Sequence, residues 1–346
     1  MKLPAREVGD VVARVARGGD DALRGSSLVV TGGTGFLGRW IVETFCALNA
    51  ARELGAQMFV TTRNAARFRE EAPHLANDRA IELSTLPPRC DFVVHGATPS
   101  AAELANDPRL LVDTIAATRD ALELAIRCRA RRFLYMSSGA MYGPQPPELA
   151  LLPETFRGAH DALDPSTAYA ETKRASELLC AAYAKQHGLE IVVVRGFSFI
   201  GPHLPLTDKF AAGNFLASAL AGRRIEIRGD GTPVRSYLGT NDFAAWFWAI
   251  LLRGISGRAY NVGSETPVTI GELAREAAQL ADVPQPVTIH GAPPADRPPA
   301  RYVPSTARAR EELGVEETTD WRAALRSTFD WIRARQRSEL TTGSVR

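Results

Sequence analysis

Hydrophobic residues along the chain fall into two alternating textures. Short apolar runs at Leu28–Val30, Met58–Thr61, Ile81 with Leu83, Phe92–His95, Arg132–Met136 and Ile191–Arg195 have the length and residue types of buried strands. Between them lie longer stretches with helical spacing of apolar positions. These are Phe36, Leu37, Trp40, Ile41 and Phe45 after the first run, Leu110 to Arg129 between the fourth and fifth, and Asp164 to His187 before the sixth. The last has Pro165 just inside its start and Gly188 just past its end, the placement that helix termini favour. Strands alternating with helices predict an α/β fold on a doubly wound parallel sheet.

The flanks of this alternation differ in texture. Val8, Val11, Val12 and Val15 mark a short helix ending near Gly18 and Gly19, an N-terminal extension over residues 1–26 packed on the outside of the core. Phe243 to Leu252 is continuously apolar but about half the length that spans a bilayer, so it predicts a buried helix. Beyond Arg195 come Gly201-Pro202, Pro205, Gly213, Ile225–Arg228 with Gly229 and Gly231, and dense proline from Pro284 to Pro304. A last amphipathic stretch runs from Glu311 to Arg335, with the residues after Gln336 frayed. This pattern predicts a nucleotide domain of residues 27–198 plus 237–262 and a smaller C-terminal substrate-binding domain of 199–236 plus 263–335.

Composition acts mainly by exclusion. The 346 residues have room for both domains, and the formal net charge of +2 offers no basic surface for nucleic acid or a membrane. Cys46, Cys90, Cys128 and Cys180 are scattered without metal-ligand spacing, which predicts reduced thiols and no metal. The N-terminus lacks the apolar core of a signal peptide, so the expected location is cytoplasmic.

Chemistry enters with Ser27 to Phe45, SLVVTGGTGFLGRWIVETF: strand, glycine turn, helix. The glycines fit both Gly33-x-Gly35-x-x-Gly38 and Gly32-x-x-Gly35-x-x-Gly38. Either gives a turn where backbone approaches a pyrophosphate closely, with the free N–H groups of a helix start facing the anion. Tyr169 and Lys173 stand four apart on one helix and share a face. A phenol with a pKa of ~10 is a poor proton donor or acceptor at neutral pH, and a nearby ammonium is expected to favour its phenolate. The chain has only four lysines, Lys2, Lys173, Lys185 and Lys209, so one at this position carries weight. Ser137-Ser138-Gly139 ends the fifth run at the sheet edge where ligands of such folds bind. Each motif alone has an ordinary structural explanation, an exposed helical pair or a Ser-Gly turn; together they suggest one site.

The chain resembles the extended short-chain dehydrogenase/reductases of the NAD-dependent epimerase/dehydratase group that act on nucleotide sugars. The resemblance spans Ser27 to about Trp331 and rests on TGGTGFLG, VVHGAT, SSGAMYG, YAETK, RGFSFIGP, GDGTPVRSYL, YNVGS and RYVPS. It implies a Rossmann fold, with Ser138, Tyr169 and Lys173 as catalytic residues. It implies a cofactor set of Gly32, Gly35, Phe36, Leu37, Gly38, Arg63, His95, Ala97, Tyr169 and Lys173. For a nucleotide-diphosphate sugar it implies Ser138, Asn214, Arg235 and Arg301, and a homodimer paired through the helices Leu110–Arg129 and Pro165–His187.

Departures from the family pattern narrow the reaction. Its 4,6-dehydratases carry Asp-Glu after the catalytic hydroxyl, whereas this chain has Gly139-Ala140, which cannot transfer protons. Thr114 stands where many relatives have Asn. At the end of the second strand Thr61-Thr62-Arg63-Asn64 holds no acid for a ribose 2′-hydroxyl, and Arg63 suits a 2′-phosphate. NADP(H) is therefore favoured, with NAD(H) possible. The leading expectation is a 4-ketoreductase of a nucleotide-linked 4-keto-6-deoxyhexose. An NAD-dependent nucleotide-sugar epimerase is the rival. A non-catalytic dinucleotide sensor is disfavoured by the retention of both Tyr169 and Lys173.

Overall fold

A computed structural model of the chain describes residues 1–99, 103–104, 107–281, 287–293 and 298–341. Six strands follow the predicted runs: β1 Ser27–Thr31, β2 Gln57–Thr61, β3 Ile81–Leu83, β4 Phe92–His95, β5 Arg132–Ser138 and β6 Glu190–Gly196. With the strand Ala259–Val262 they form one parallel sheet in the order Ala259–Val262, β6, β5, β4, β1, β2, β3. β1 is buried through its centre and β4 along its whole length, the burial that a sheet covered on both faces imposes.

The pleat divides the apolar side chains between two cores. Leu28 and Val30 point to one face, where the helices Phe36–Arg52 and Thr240–Arg253 supply Trp40, Phe45, Phe247 and Trp248. Val29, Val93, Phe133 and Tyr135 point to the other, covered by the helices Pro108–Arg127 and Ala168–His187. β1 lies between β4 and β2, so successive connections leave it in opposite directions. A cleft opens at the carboxyl ends of these strands, as such a reversal requires.

The N-terminal extension is the helix Ala5–Gly18, and it buries Val11 and Val15 against Phe36–Arg52 and Thr240–Arg253. Its Arg14 donates to the fully enclosed carboxylate of Asp242 at 2.5 Å. The smaller unit has its own core of Ile200, Leu216, Ile225, Leu273, Leu325 and Trp331. It contains short paired strands, Ile225–Ile227 with Val287–Ile289 and Val234–Arg235 with Val268–Thr269. Thr269 and Glu272 form a capping box at the start of its helix Ile270–Gln279.

Three element boundaries differ from the sequence expectation. The segment opening at Pro165 begins as a 3₁₀ turn, Pro165–Thr167, before the α-helix Ala168–His187. The single amphipathic stretch from Glu311 is two helices, Ala307–Leu313 and Trp321–Thr341, because Gly314 takes the left-handed conformation (φ 63°) that ends the first. The second runs past Gln336, where fraying was expected, and residues 342–346 lie outside the described part. The proline-rich stretch Pro284–Pro304 is described only at 287–293 and 298–304.

Candidate active site

The cleft has a volume of about 1310 Å³. Its floor is the glycine turn after β1. Gly32 has φ 77°, and a Cβ there would lie 2.7 Å from backbone atoms of Gly96 and Ala97. A Cβ on Gly38 would lie 2.1 Å from the Gly32 carbonyl oxygen. Gly32 and Gly38 are closed off by backbone, whereas a Cβ on Gly33 would lie 2.8 Å from a Val60 side-chain methyl, so it is the spacing from Gly32 to Gly38 that the backbone itself requires. Gly35 precedes the helix Phe36–Arg52, and the unsatisfied N–H groups of that first turn face the cleft, with Phe36 in its wall. Leu37 packs partly into the core. A backbone cradle that no side chain could enter, beneath a helix start, fits the pyrophosphate of a dinucleotide.

Thr61, Thr62, Arg63 and Asn64 continue the wall from the end of β2, with Arg63 exposed to the cleft. Arg39 and Arg67 both pair with Glu71 beside them, and Arg39 Nε also donates to the Thr34 carbonyl at 3.1 Å. The opposite wall comes from Trp331, Ile332 and Arg335 on the C-terminal helix, which nothing in the sequence had marked.

Ala97 lines the cleft after β4. His95 does not. It is enclosed behind the strand ends, with Nδ1 2.8 Å from Thr31 Oγ1 and Nε2 3.3 Å from Thr118 Oγ1. The Thr31 hydroxyl also accepts the N–H groups of Gly96 and Ala97, so His95 holds the turn that meets the cofactor cradle rather than lining it. Thr114 does line the cleft, and its hydroxyl donates to the Leu110 carbonyl at 2.6 Å.

Ser138, Tyr169 and Lys173 come together at the carboxyl end of β5. Ser138 Oγ accepts from the Ala140 N–H at 3.2 Å, and the Ser138 hydroxyl stands near enough to the Tyr169 phenol to act on its ionisation. Lys173 Nζ donates to Thr98 Oγ1 at 2.8 Å and to the Met136 carbonyl at 2.7 Å, and lies 5.8 Å from the centre of the Tyr169 ring. Thr98 lines the cleft, so it joins the cofactor groove to the lysine. Sequence reasoning missed Thr98, although it closes the quoted VVHGAT.

The substrate candidates are dispersed. Backbone bridging of Val234 with Arg301 sets Arg235 and Arg301 in adjacent segments. The Arg235 guanidinium stands 5.8 Å over the ring of Tyr302, whose hydroxyl fills the space a Cβ on Gly139 would take. Arg301 Nε donates instead to the Ala150 carbonyl at 2.8 Å. Asn214 is half-buried on the helix Ala211–Leu220. Tyr302 is a second residue not singled out from sequence, though it directly follows Arg301 in RYVPS.

The NAD dependent epimerase/dehydratase family matches residues 28–263. This chain belongs to that family. As an epimerase/dehydratase-family member it is an enzyme of the extended short-chain dehydrogenase/reductase type. It is 28% identical over 262 residues to a trifunctional UDP-glucose 4,6-dehydratase/UDP-4-keto-6-deoxy-D-glucose 3,5-epimerase/UDP-4-keto-L-rhamnose-reductase of Arabidopsis thaliana. That match takes in 74% of this chain and 38% of the plant protein, so the chain spans well under half of that relative's length. Among solved structures it superposes on UDP-glucose 4-epimerase of Thermotoga maritima with UDP-glucose, at TM-score 0.74 and 22% identity, over 90% of this chain and 99% of the other. It also superposes on RMD from Pseudomonas aeruginosa complexed with NADPH, at TM-score 0.68 and 23% identity, over 90% and 99% of the two chains.

Electrostatics in this epimerase/dehydratase-family site depart from the sequence expectation. Burial pushes the Tyr169 phenol up from its ordinary value, and the Ser138 hydroxyl only partly offsets this. Lys173 gives the phenol no counteracting help, because its ammonium is turned to Thr98 and Met136. Burial brings the lysine itself down to about 7, with the more distant Glu177 opposing. His95 falls to about 3 through burial and the lysine's charge, and so stays neutral.

The lysine shift has a signed consequence. Between pH of about 7 and 10.5 the unfolded chain holds the Lys173 proton more tightly than the folded one, so this residue makes stability rise with pH across that window. In denaturant unfolding, the stability of the parent relative to Lys173→Met should climb over that range, with a slope of at most about 1.4 kcal/mol per pH unit. A flat difference between the two proteins would refute the burial of the ammonium.

Proposed function

We propose that the protein is an NADPH-dependent ketoreductase of a nucleotide-linked 4-keto-6-deoxyhexose. One observation carries this reading. The serine, phenol and lysine of carbonyl reduction are assembled, while the two positions after Ser138 are Gly139 and Ala140. Elimination of water needs an acid and a base there, and neither residue can serve as one.

Bound in the cleft over the Gly32–Gly38 turn, a nicotinamide dinucleotide would supply the hydride. The Ser138 hydroxyl holds the substrate carbonyl oxygen, and the Tyr169 phenol delivers a proton to that oxygen as it becomes an alkoxide. A phenol held protonated by burial suits a donor in this direction. Lys173 has three N–H bonds, of which Thr98 and Met136 take two, leaving one for a hydroxyl in the cleft. Arg235, beside Tyr302, supplies a planar fork for the diphosphate. At the far end Thr61–Asn64 holds no carboxylate, and the exposed Arg63 guanidinium would suit a ribose 2′-phosphate.

The decisive assay follows NADPH consumption against a panel of dTDP- and UDP-linked 4-keto-6-deoxyhexoses. Stoichiometric oxidation supports the reductase; sugar inversion without net cofactor turnover supports an epimerase. Tyr169→Phe should lower turnover by at least about a hundredfold with cofactor affinity nearly intact. Turnover within a few-fold of the parent would remove Tyr169 from its role.

Arg63→Ala should abolish most of the preference for NADPH over NADH, expected at about tenfold for an exposed guanidinium, without changing the rate at saturating NADPH. Equal affinity of the parent for the two cofactors would show Arg63 to be a bystander.

The protein should also be a homodimer. The helices Pro108–Arg127 and Ala168–His187 turn Val112, Ala117, Leu178 and Ala182 outward, and Leu178 is 73% exposed. Ala121, Ala125 and Leu179 on the same helices serve the core instead. Light scattering at micromolar concentration should return twice the chain mass.

A further inference from the structure

The end of β2 offers no acid to a ribose, but the short helix that follows it does. That helix, Ala65–Glu71, starts where the Asn64 side chain accepts the Arg67 N–H at 2.9 Å, and Glu71 is its last residue. The Glu71 carboxylate takes two guanidiniums at once. Arg67, one turn earlier, donates from Nε to Oε1 at 2.6 Å, and Arg39 pairs with Oε2. Arg39 is buried on the helix Phe36–Arg52, directly after Gly38. Its Nε donates to the Thr34 carbonyl in the glycine turn, and its guanidinium stands 5.7 Å over the Phe68 ring. One carboxylate therefore ties the cofactor cradle to the wall beyond β2.

Arg39, Arg63, Arg67 and Glu71 all line the cleft. Its other acids, Glu103 and Asp113, come after β4, which lies two strand spacings from β2, about 10 Å across the sheet. The far end thus holds three guanidiniums and a single carboxylate. Partial burial pushes the Glu71 carboxyl up, and the hydrogen bond from Arg67 with the pairing to Arg39 more than reverses this. The group stays below its ordinary value and is ionised at neutral pH.

A ribose 2′-hydroxyl and a 2′-phosphate meet such a cluster differently. The hydroxyl can donate to a carboxylate, whereas the phosphate is repelled by it and competes with it for the same N–H groups. We infer that Glu71 is a specificity-determining residue for the cofactor: it occupies the forks of Arg39 and Arg67 and so holds down the preference for a 2′-phosphate that Arg63 gives. The inference rests on the reading of the cleft as a dinucleotide site that favours NADPH, and assigns to Glu71 the opposing half of that choice.

The probes are 5′-AMP and 2′,5′-ADP, which differ only in the 2′-phosphate and carry no nicotinamide. Their dissociation constants are measured by calorimetry on the full chain. Glu71→Gln removes the charge and keeps the shape. It should tighten 2′,5′-ADP about three- to tenfold and leave 5′-AMP within about twofold. An unchanged ratio of the two affinities, or an equal loss of both, overturns the inference. If Glu71→Gln does not fold, Arg67→Ala, a change at an exposed side chain, must weaken 2′,5′-ADP more than 5′-AMP, because it leaves Glu71 less neutralised; equal weakening overturns the inference. A ratio that shifts as stated while NADPH reduces no 4-keto sugar would overturn the ketoreductase reading and leave this one standing.

Discussion

An ammonium group enclosed among neutral oxygens is the constraint around which the site is arranged. Among the described residues, no carboxylate lies within salt-bridge reach of the Lys173 Nζ. The Thr98 hydroxyl and the Met136 carbonyl take its protons, and removal from water is offset only by such bonds. Those two acceptors belong to the turn after β4 and to the last residues of β5. The lysine therefore fixes the helix Ala168–His187 against two strand ends at once, and with them Tyr169 against Ser138. Behind this contact His95 and Thr31 hold the turn from the other side. The cleft lined by Thr98 and the strand end that carries Ser138 are thus joined through one buried lysine.

Features set by neighbours in sequence were legible before the structure. The strands of the large sheet, the glycine turn and the Tyr-Lys spacing each depend on a few consecutive residues. Their pattern carried them, and the family match now supports the fold read from it. What the pattern could not carry is the product of long-range pairing. Tyr302 reaches Gly139, the residue after Ser138, because Arg301 bridges Val234, far along the chain from β5. The direction of the Tyr169 shift was likewise invisible, since spacing tells that a lysine is near but not that it faces away. The break at Gly314 was present in the sequence as a glycine; only its left-handed φ distinguishes a helix end from a tolerated helical glycine.

The pair Gly139-Ala140 looks in sequence like a simple deletion of function. In the structure it is part of a replacement. The volume that a side chain at position 139 would take is occupied by a phenol and a phenyl ring from other segments, packed face to face. Restoring a carboxylate there would require those rings to move, so one substitution would not convert this site into that of a dehydratase.

The first helix adds a constraint in time. Arg14 is separated from its partner Asp242 by 228 residues, and one of the two helices that cover Val11 and Val15 belongs to the same late segment. At a synthesis rate of roughly 5–20 residues per second, the part of the Ala5–Gly18 face that meets Thr240–Arg253 waits on the order of 10–50 s for its cover. During that interval it is exposed hydrophobic surface on the nascent chain, and so a natural point of contact for chaperones.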